Sequence, residues 1–136
     1  MSDPTAFYVG WLVDPEDRQA LLARFPPRYP IVVAHHVTFK FGDPSAALPT
    51  ETSGEIVGEA DDGLGVQALV VRIGGTTARP DGGTYHITWS LADGREARES
   101  NAVIAERGWT RLAAPTAVGL HPQGFERGLA AVTLDE

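Results

Sequence analysis

The amino-acid sequence predicts an α+β protein whose sheet is mostly antiparallel. Short runs of apolar and β-branched residues are separated by stretches rich in Gly, Pro, Asp and Ser, a pattern typical of strands and turns. Two segments, after Asp14 and after Asp93, carry the signals of a helix start. A strand-like phrase of eight residues occurs at 36–43 and again at 86–93. This order of elements indicates many strands and two helices packed around one core.

The first predicted elements are a strand and a helix. Residues Phe7–Val13 form a near-continuous apolar run that suits a buried strand. Asp14 is a candidate N-cap, Pro15 fits the first helical position, and the next two residues are acidic. We therefore expect a helix from this cap to about Phe25, where two successive prolines stop it.

Several strands are predicted in the middle of the chain. Their patterns lie, in chain order, at 31–41, 55–60, 66–73 and 84–91. Between them we expect a loop at 42–54, a turn at 61–63 and a flexible glycine-rich connection at 74–83. The first and last of these strands carry the two copies of the repeated phrase.

A second helix and three short strands complete the prediction. Asp93 is a candidate cap with Glu96 three residues later, so we expect a helix from about Arg95 to Arg107, closed by Gly108. The remaining strands are predicted at 109–112, 116–120 and 129–134, separated by Pro115 and by the stretch 121–124.

Composition and charge narrow the possible functions. A chain of 136 residues with 43% apolar and 21% charged residues indicates one soluble globular domain spanning 1–136. The formal net charge is −7 and Lys40 is the one lysine, which argues against an extended nucleic-acid surface. A nucleotide substrate would therefore be a small molecule or the end of a chain, and we expect a monomer.

Location and cysteine chemistry are also constrained. No apolar run is long enough for a membrane span, and the first residues lack the order of a signal peptide, so we expect a cytoplasmic protein that binds no membrane. The chain contains no cysteine, which excludes disulfides, a thiolate nucleophile and cysteine-based zinc sites.

The repeated phrase carries the candidate site residues. His36-Val37-Thr38-Phe39-Lys40-Phe41-Gly42-Asp43 returns as His86-Ile87-Thr88-Trp89-Ser90-Leu91-Ala92-Asp93. His, Thr and Asp recur at the same offsets, and like replaces like between them, which we interpret as an internal repeat. Successive side chains on a strand alternate faces. The polar faces are therefore predicted to carry His36, Thr38 and Lys40 in one copy, and Thr84, His86, Thr88 and Ser90 in the other.

Two histidines with neighbouring hydroxyls suit phosphoester chemistry. Histidine serves as acid or base near neutral pH, and displacement at phosphorus needs one group to activate the nucleophile and another to protonate the leaving oxygen. We predict that His36 and His86 are catalytic. Thr38 and Thr88 are predicted to donate hydrogen bonds to non-bridging phosphate oxygens. This scheme requires no metal and no cofactor.

Two cations are further candidates for phosphate binding. Lys40 shares the predicted face of His36, and Arg79 lies in the glycine-rich connection before the second copy. Each also has a structural interpretation, because a lysine at a strand end is commonly solvated and most loop arginines bind no ligand. The two histidines could likewise be packed for structural reasons, and the two threonines are good strand formers in any case.

The other repeated or ionisable residues have simpler explanations. Asp43, before a proline, and Asp93, at a helix start, are interpreted as turn and cap residues. His35 is predicted to point away from the face of His36, and His121 to lie in a loop. No pair of histidines has a usual metal-ligand spacing, so a metal site is not predicted.

Two H-x-T motifs on strands with apolar neighbours resemble the two-histidine (2H) phosphoesterase superfamily. The matching residues are His36-Val37-Thr38 and His86-Ile87-Thr88, and the context of the first motif resembles the cyclic phosphodiesterase domain of tRNA ligases. The resemblance implies a bilobed α+β fold with pseudo-twofold symmetry, in which each minimal lobe contributes one motif to a central cleft. It also implies metal-independent hydrolysis of 2′,3′-cyclic phosphates on nucleotides or RNA ends, or of related phosphodiesters, in RNA processing.

Two other functions are compatible with the same residues. The cleft could bind a nucleotide or a phosphorylated RNA end without catalysis. Alternatively, the repeat could be the relic of a duplication in a purely structural domain.

Overall fold

Antiparallel strands surround the core and close into a ring. The computed structural model describes residues 7–41 and 47–126, except for the side chains of Phe7 and Glu126. In chain order the elements are β1 (Phe7–Val13), α1 (Pro15–Arg24), β2 (Ile31–Val32), β3 (His36–Phe41), β4 (Ser53–Asp61), β5 (Val66–Arg72), β6 (His86–Leu91), α2 (Glu99–Arg107) and β7 (Thr110–Glu126). The fold is about 50% strand and 17% helix, so sheet pairing dominates over helix packing.

Six strands form a closed antiparallel barrel. The hydrogen-bonded order is β6-β3-β1-β7-β4-β5, and β5 pairs back with β6. The short strand β2 pairs with the end of β6, on the same side as β3. Other neighbours in the ring are joined by at least five residue pairs, whereas β3 and β6 share one, Val37 opposite Ile87. This β3–β6 seam is the least paired joint of the barrel.

The predicted bilobed α+β fold with pseudo-twofold symmetry is wrong, because one strand ties both halves of the chain into a single ring. We expected short strands near 109–112 and 116–120, but the structure has the 17-residue strand β7. Residues 110–119 of β7 pair with β4, and residues 120–126 pair with β1. The two H-x-T strands are therefore neighbours in one barrel and do not belong to separate lobes.

Two prolines that were expected to interrupt β7 are accommodated within it. Proline lacks an N–H, so strands tolerate it at bulges and along unpaired edges. Pro115 falls where the register with β4 slips, between the pairs Thr116–Ile56 and Arg111–Gly58. Pro122 lies within residues 120–126 of β7, which pair with β1. These residues lie beyond the part of β7 that pairs with β4.

Helix α1 confirms the predicted cap and position. The Asp14 carboxylate accepts a hydrogen bond from the Asp17 N–H at 3.1 Å, and Pro15 is the first helical residue. The helix ends at Arg24, one residue before the predicted end. It buries Leu21 against the barrel core.

Helix α2 exists as predicted but begins later. It starts at Glu99 and not near Arg95, and Asp93 is an exposed residue outside it. The Glu99 carboxylate accepts a hydrogen bond from the Glu96 N–H at 2.7 Å, which closes a turn before the helix. Gly108, with φ 72°, ends the helix as predicted.

Two apolar clusters stabilise the barrel. The interior cluster takes residues from all six ring strands and is centred on the fully buried Trp11 and Trp89. A second cluster, on the outer face of β4 and β5, is covered by Val103 and Ile104 of α2. Helix α2 therefore packs against the outside of the barrel and brings its N-terminal end close to β6.

A β-bulge occurs at the same position of each repeated phrase. Val9 pairs with Lys40 and Gly10 with Thr38, so Phe39 is an extra residue on β3. Gln67 pairs with Ser90 and Ala68 with Thr88, so Trp89 is extra on β6. A bulge shifts the alternation of side chains by one residue. The residue two places after each bulge, Phe41 or Leu91, therefore returns to the face that carries His and Thr.

The predicted strand at 31–41 is broken between β2 and β3. Ala34, which is fully buried, has a φ of 45°, a left-handed value that is uncommon for a residue other than glycine. This kink separates Ile31–Val32 from His36–Phe41. Successive side chains consequently do not alternate regularly between the two faces of the sheet just before His36.

No helix within 7–41 and 47–126 is both long enough and apolar enough to span a membrane. The predicted strand at 129–134 and the turn residue Asp43 lie outside the described residues.

Candidate functional site

The outer face of the β3–β6 seam carries a cleft of about 610 Å³. Both H-x-T pairs line it, whereas Val37 and Ile87 point into the barrel, as strand alternation predicts. The full lining comprises Tyr8, Ile31, His36, Thr38, Phe41, Arg79, His86, Thr88, Leu91, Arg95, Glu96, Ala97, Arg98 and Asn101. A cleft of this volume suits a small organic ligand.

Antiparallel pairing determines how the two motifs meet. Since Val37 lies opposite Ile87, the His of each copy is set beside the Thr of the other across the seam. The sequence predicted one shared cleft between two lobes. The structure brings the four residues together by strand pairing within one barrel.

His36 lies among aromatic rings. Its ring centroid is 5.1 Å from that of Tyr8 and 5.2 Å from that of Phe125. Its Nδ1 is 3.2 Å from the Nδ1 of His35, so one of these nitrogens donates a hydrogen bond to the other. These contacts restrict the orientation of His36.

The prediction that His35 points away from His36 is wrong. The two ring centroids are 5.3 Å apart and the His35 ring also approaches Phe125, at 5.7 Å. The reason is the kink at Ala34, which ends the regular alternation before these residues.

His86 is held in one tautomer by the backbone. Its Nδ1 is 2.8 Å from the carbonyl oxygen of Thr84, and a carbonyl can only accept. Nδ1 therefore carries the proton, and in the neutral ring Nε2 is the nitrogen with a lone pair. The side chain is 9% exposed. His86 thus presents a basic nitrogen from a fixed, nearly buried ring.

The two threonines have different surroundings. The Thr88 hydroxyl lies 3.2 Å from the Ala97 carbonyl and 2.8 Å from Ser100 Oγ, so it ties β6 to the start of α2. It would have to give up the Ala97 carbonyl to donate to a phosphate oxygen. Thr38 is half-buried in the cleft, and among the described residues no hydrogen bond engages its side chain.

Arg79 lines the cleft beside His86 and is firmly held. It is 7% exposed, its Nε donates to Asp81 at 2.8 Å, and its Nη2 donates to Asn101 at 2.9 Å. The guanidinium carbon lies 5.6 Å from the centre of the Phe41 ring. A β-carbon added at Gly83 would come within 2.6 Å of Nη2, so glycine there makes room for the guanidinium. We expected a mobile loop arginine, but the structure fixes its position.

Lys40 does not line the cleft. It is exposed, and Phe41 occupies the place on the His36 face that alternation had assigned to Lys40. The bulge at Phe39 causes this exchange. Leu91 enters the cleft in the same way from β6, so the site face is less polar than the sequence predicted.

The cleft is rich in arginine although the whole chain carries a net charge of −7. Its lining contains Arg79, Arg95 and Arg98, and each of them is paired with at least one carboxylate. Arg95 is braced by Asp62 at 2.9 Å and by Glu99 at 2.9 Å, while Arg98 pairs with Glu96 at 2.7 Å. Guanidinium groups that line a cleft can bind an anionic ligand, and phosphate in particular.

Sequence reasoning missed the contribution of the segment before α2. Arg95, Arg98 and Asn101 were read as ordinary helix residues, yet they form one wall of the cleft. Two arginines, Arg95 and Arg98, lie within the four residues before α2, and Asn101 lies in its first turn. The contact between Thr88 and Ser100, which a sequence does not reveal, places them.

His121 lies away from the cleft. His121 lies on β7 and pairs with Asp14 at 2.8 Å, and it is not a cleft residue; the predicted loop there is strand. Within 7–41 and 47–126, no three His, Asp or Glu side chains are grouped so that they could hold a metal ion.

Comparisons with known proteins add no family assignment. No protein-family model matches the chain, and no curated protein or solved structure matches it significantly. The resemblance to two-histidine phosphoesterases therefore rests on the two motifs alone.

Proposed function

We propose that the cleft binds a small phosphodiester and hydrolyses it, with 2′,3′-cyclic phosphates of nucleotides or RNA ends as the substrate class. The observation that carries the proposal is the meeting of two histidines and a buried arginine in one cleft. Arg79 supplies a fixed cation for the phosphate, and the two imidazoles can divide acid and base roles.

The contacts of the imidazoles favour one division of roles. Neutral His86 holds its proton on Nδ1, so its Nε2 can remove a proton from the attacking water. A protonated His36 can donate Nδ1–H to His35 and keep Nε2–H for the leaving oxygen. Water then forms the new P–O bond, the ring P–O bond breaks, and the departing ribose oxygen receives the proton from His36. No group beyond these residues and water is needed to balance the reaction.

The first test is a pair of histidine substitutions. His36→Ala and His86→Ala should each lower kcat by about 10²-fold to 10⁴-fold, the usual contribution of a general acid or base. His121→Ala is the matched control, since this histidine is exposed and outside the cleft. The assay uses nucleoside 2′,3′-cyclic phosphates, 3′,5′-cyclic nucleotides, 2′,5′-linked oligonucleotides and short RNAs with cyclic ends, each with and without a chelator.

The results separate the proposal from its rivals. Turnover at the wild-type rate by the double variant, His36→Ala with His86→Ala, would refute the catalytic roles. Turnover that a chelator abolishes would point to a metal. A second function, ligand binding without catalysis, is favoured by the engagement of the Thr88 hydroxyl within the protein. Saturable binding of the cyclic nucleotide with no product over hours, by folded protein, would establish it.

A further inference from the structure

We infer that Arg18, on helix α1, is a positioning residue for His36; the inference rests on the role proposed above for that histidine. The Arg18 guanidinium donates from Nε to the carbonyl of Ala34 at 2.7 Å and from Nη2 to the carbonyl of Val33 at 3.2 Å. These two residues form the turn of the chain that leads into His35 and His36. Arg18 itself does not line the cleft.

The chain between β2 and β3 is not regular strand. Val32 lies opposite Ser90, and Val37 lies opposite Ile87. The chain therefore advances five residues between these two pairs, whereas β6 advances three. The two extra residues are accommodated by the kink at Ala34, with its φ of 45°. Such a backbone value is strained for alanine and persists when its surroundings hold it.

Nearly every backbone group of the kink has a partner. The N–H groups of Val33 and Ala34 donate to β6, to the carbonyls of Trp89 at 3.0 Å and Thr88 at 2.9 Å. The carbonyl of His35 accepts from the Val13 N–H at 2.9 Å. The carbonyls of Val33 and Ala34, which belong to buried residues, accept from Arg18. A buried carbonyl needs a donor, and one guanidinium fork serves two successive carbonyls.

Arg18 therefore fixes the backbone from which His36 projects. Without it, two buried carbonyls lose their donor and the strained kink loses its support. The backbone is then expected to relax toward regular strand. Successive side chains of a regular strand point to opposite faces, so His35 would move away from His36. The His36 imidazole would then lose its contact with His35, one of those that orient it.

The experiment compares Arg18→Met, which keeps the apolar stem and removes the fork, with Arg24→Met as the matched control. Arg24 lies on the same helix, is exposed, and donates to Thr116 Oγ1. The first readout is the imidazole ¹H–¹⁵N spectrum of the protein without substrate, assigned with single histidine substitutions. In Arg18→Met the ring resonances of His35 and His36 should move, while those of His121 stay in place; Arg24→Met should leave all four unchanged.

The second readout is kinetic, with a nucleoside 2′,3′-cyclic phosphate. Arg18→Met should lower kcat about tenfold to a hundredfold and change KM less than about threefold, because a displaced catalytic group costs turnover more than binding. On a His36→Ala background the same substitution should have no further effect. Arg18→Lys offers a point charge without the fork, and its kcat should lie between those of wild type and Arg18→Met. If Arg18→Met does not fold, both readouts are applied to Arg18→Lys, with changes expected in the same direction.

The outcomes decide the inference separately from the proposed function. Unmoved His36 resonances in a folded Arg18 variant, or an equal kcat loss with and without His36, would overturn the positioning role. Absence of turnover by the wild-type protein would overturn the proposed function, and the resonance comparison would still decide whether Arg18 orients His36.

Discussion

At the scale of single residues, a close backbone approach at Gly10 sets the geometry of the β3 motif. Gly10 lies opposite the bulge at Phe39, and a β-carbon placed on it would come within 2.1 Å of the Val37 carbonyl oxygen. It would also be 3.0 Å from the Phe39 nitrogen. Both neighbours are backbone atoms, so no side-chain rotation relieves the contact. Glycine at this position lets β1 and β3 approach where His36 and Thr38 are positioned.

Gly10→Ala should therefore destabilise the protein by about 1–3 kcal/mol or more, because overpacking against backbone forces the strands apart. Urea unfolding followed by circular dichroism measures this. Gly94→Ala is the comparison, since a β-carbon there has open space. Its expected destabilisation comes only from placing alanine at a φ of 83°, about 1 kcal/mol. Equal destabilisation by the two substitutions would show that the approach of β1 to β3 is not the limiting contact.

At the scale of elements, helix α1 is anchored to the barrel at both its cap and its first turns. The Asp14 carboxylate is 2.8 Å from His121 Nε2, and the Asp17 carboxylate accepts from the Gly119 N–H at 2.6 Å. Both partners belong to β7. Arg18 then joins the next turn of the helix to the kink before β3. The helix thus links β7 to the backbone that carries His36.

The cap predicts a pH dependence of stability. The hydrogen bond from His121, followed by that from the Asp17 N–H, holds the pKa of Asp14 below its ordinary value of 3.8. A carboxyl whose pKa is lowered on folding stabilises the fold above its unfolded pKa, and the contribution disappears as pH falls through the folded value.

Asp14→Asn should consequently have a lower Tm than wild type near neutral pH, because Asn still caps the helix but lacks the charge. The difference should shrink as the pH is lowered below about 4, the ordinary range of a carboxyl. Thermal melts between neutral and acidic pH give the measurement, with Asp93→Asn, an exposed turn residue, as the control. A Tm difference that grows toward acid would contradict the assigned sign.

At the scale of the whole molecule, the barrel closes at its least paired joint, and the candidate site lies across it. The single pair Val37–Ile87 joins β3 to β6, whereas five pairs join β3 to β1 and five join β5 to β6. The arginine-lined cleft lies on the outer face of this seam, in a chain of net charge −7. A bound anion would contact both strands and the segment before α2. Ligand binding should therefore stabilise closure of the ring.

A nucleoside 2′,3′-cyclic phosphate or its product should raise the Tm of the His36→Ala variant, which we expect to bind the ligand without rapid turnover. At 100 times the Kd the added stability is about 2.7 kcal/mol, a Tm increase on the order of 10 °C for a domain of this size. Chloride at matched ionic strength is the control for general screening. Arg79→Met should abolish most of the increase, and an equal increase in that variant would place the ligand elsewhere.

The sequence by itself determined the local chemistry of this protein. The cap at Asp14, the stop at Gly108 and the alternation that separates His36 and Thr38 from Val37 depend on neighbours within a few residues, so their patterns can be read directly. The H-x-T pairs predicted a common cleft, and both pairs line one. These features are short-range consequences of capping geometry and strand periodicity.

Tertiary structure decided how those parts are assembled. Pro115 reads as a strand break, yet a register slip against β4 absorbs it, and β7 then closes one barrel where two lobes were predicted. The bulge at Phe39 exchanges Lys40 for Phe41 in the cleft. At the kink, the Ala34 carbonyl accepts a hydrogen bond from a guanidinium 16 positions earlier in the chain. Such choices are set by pairing and hydrogen bonding between distant segments, which local patterns do not encode.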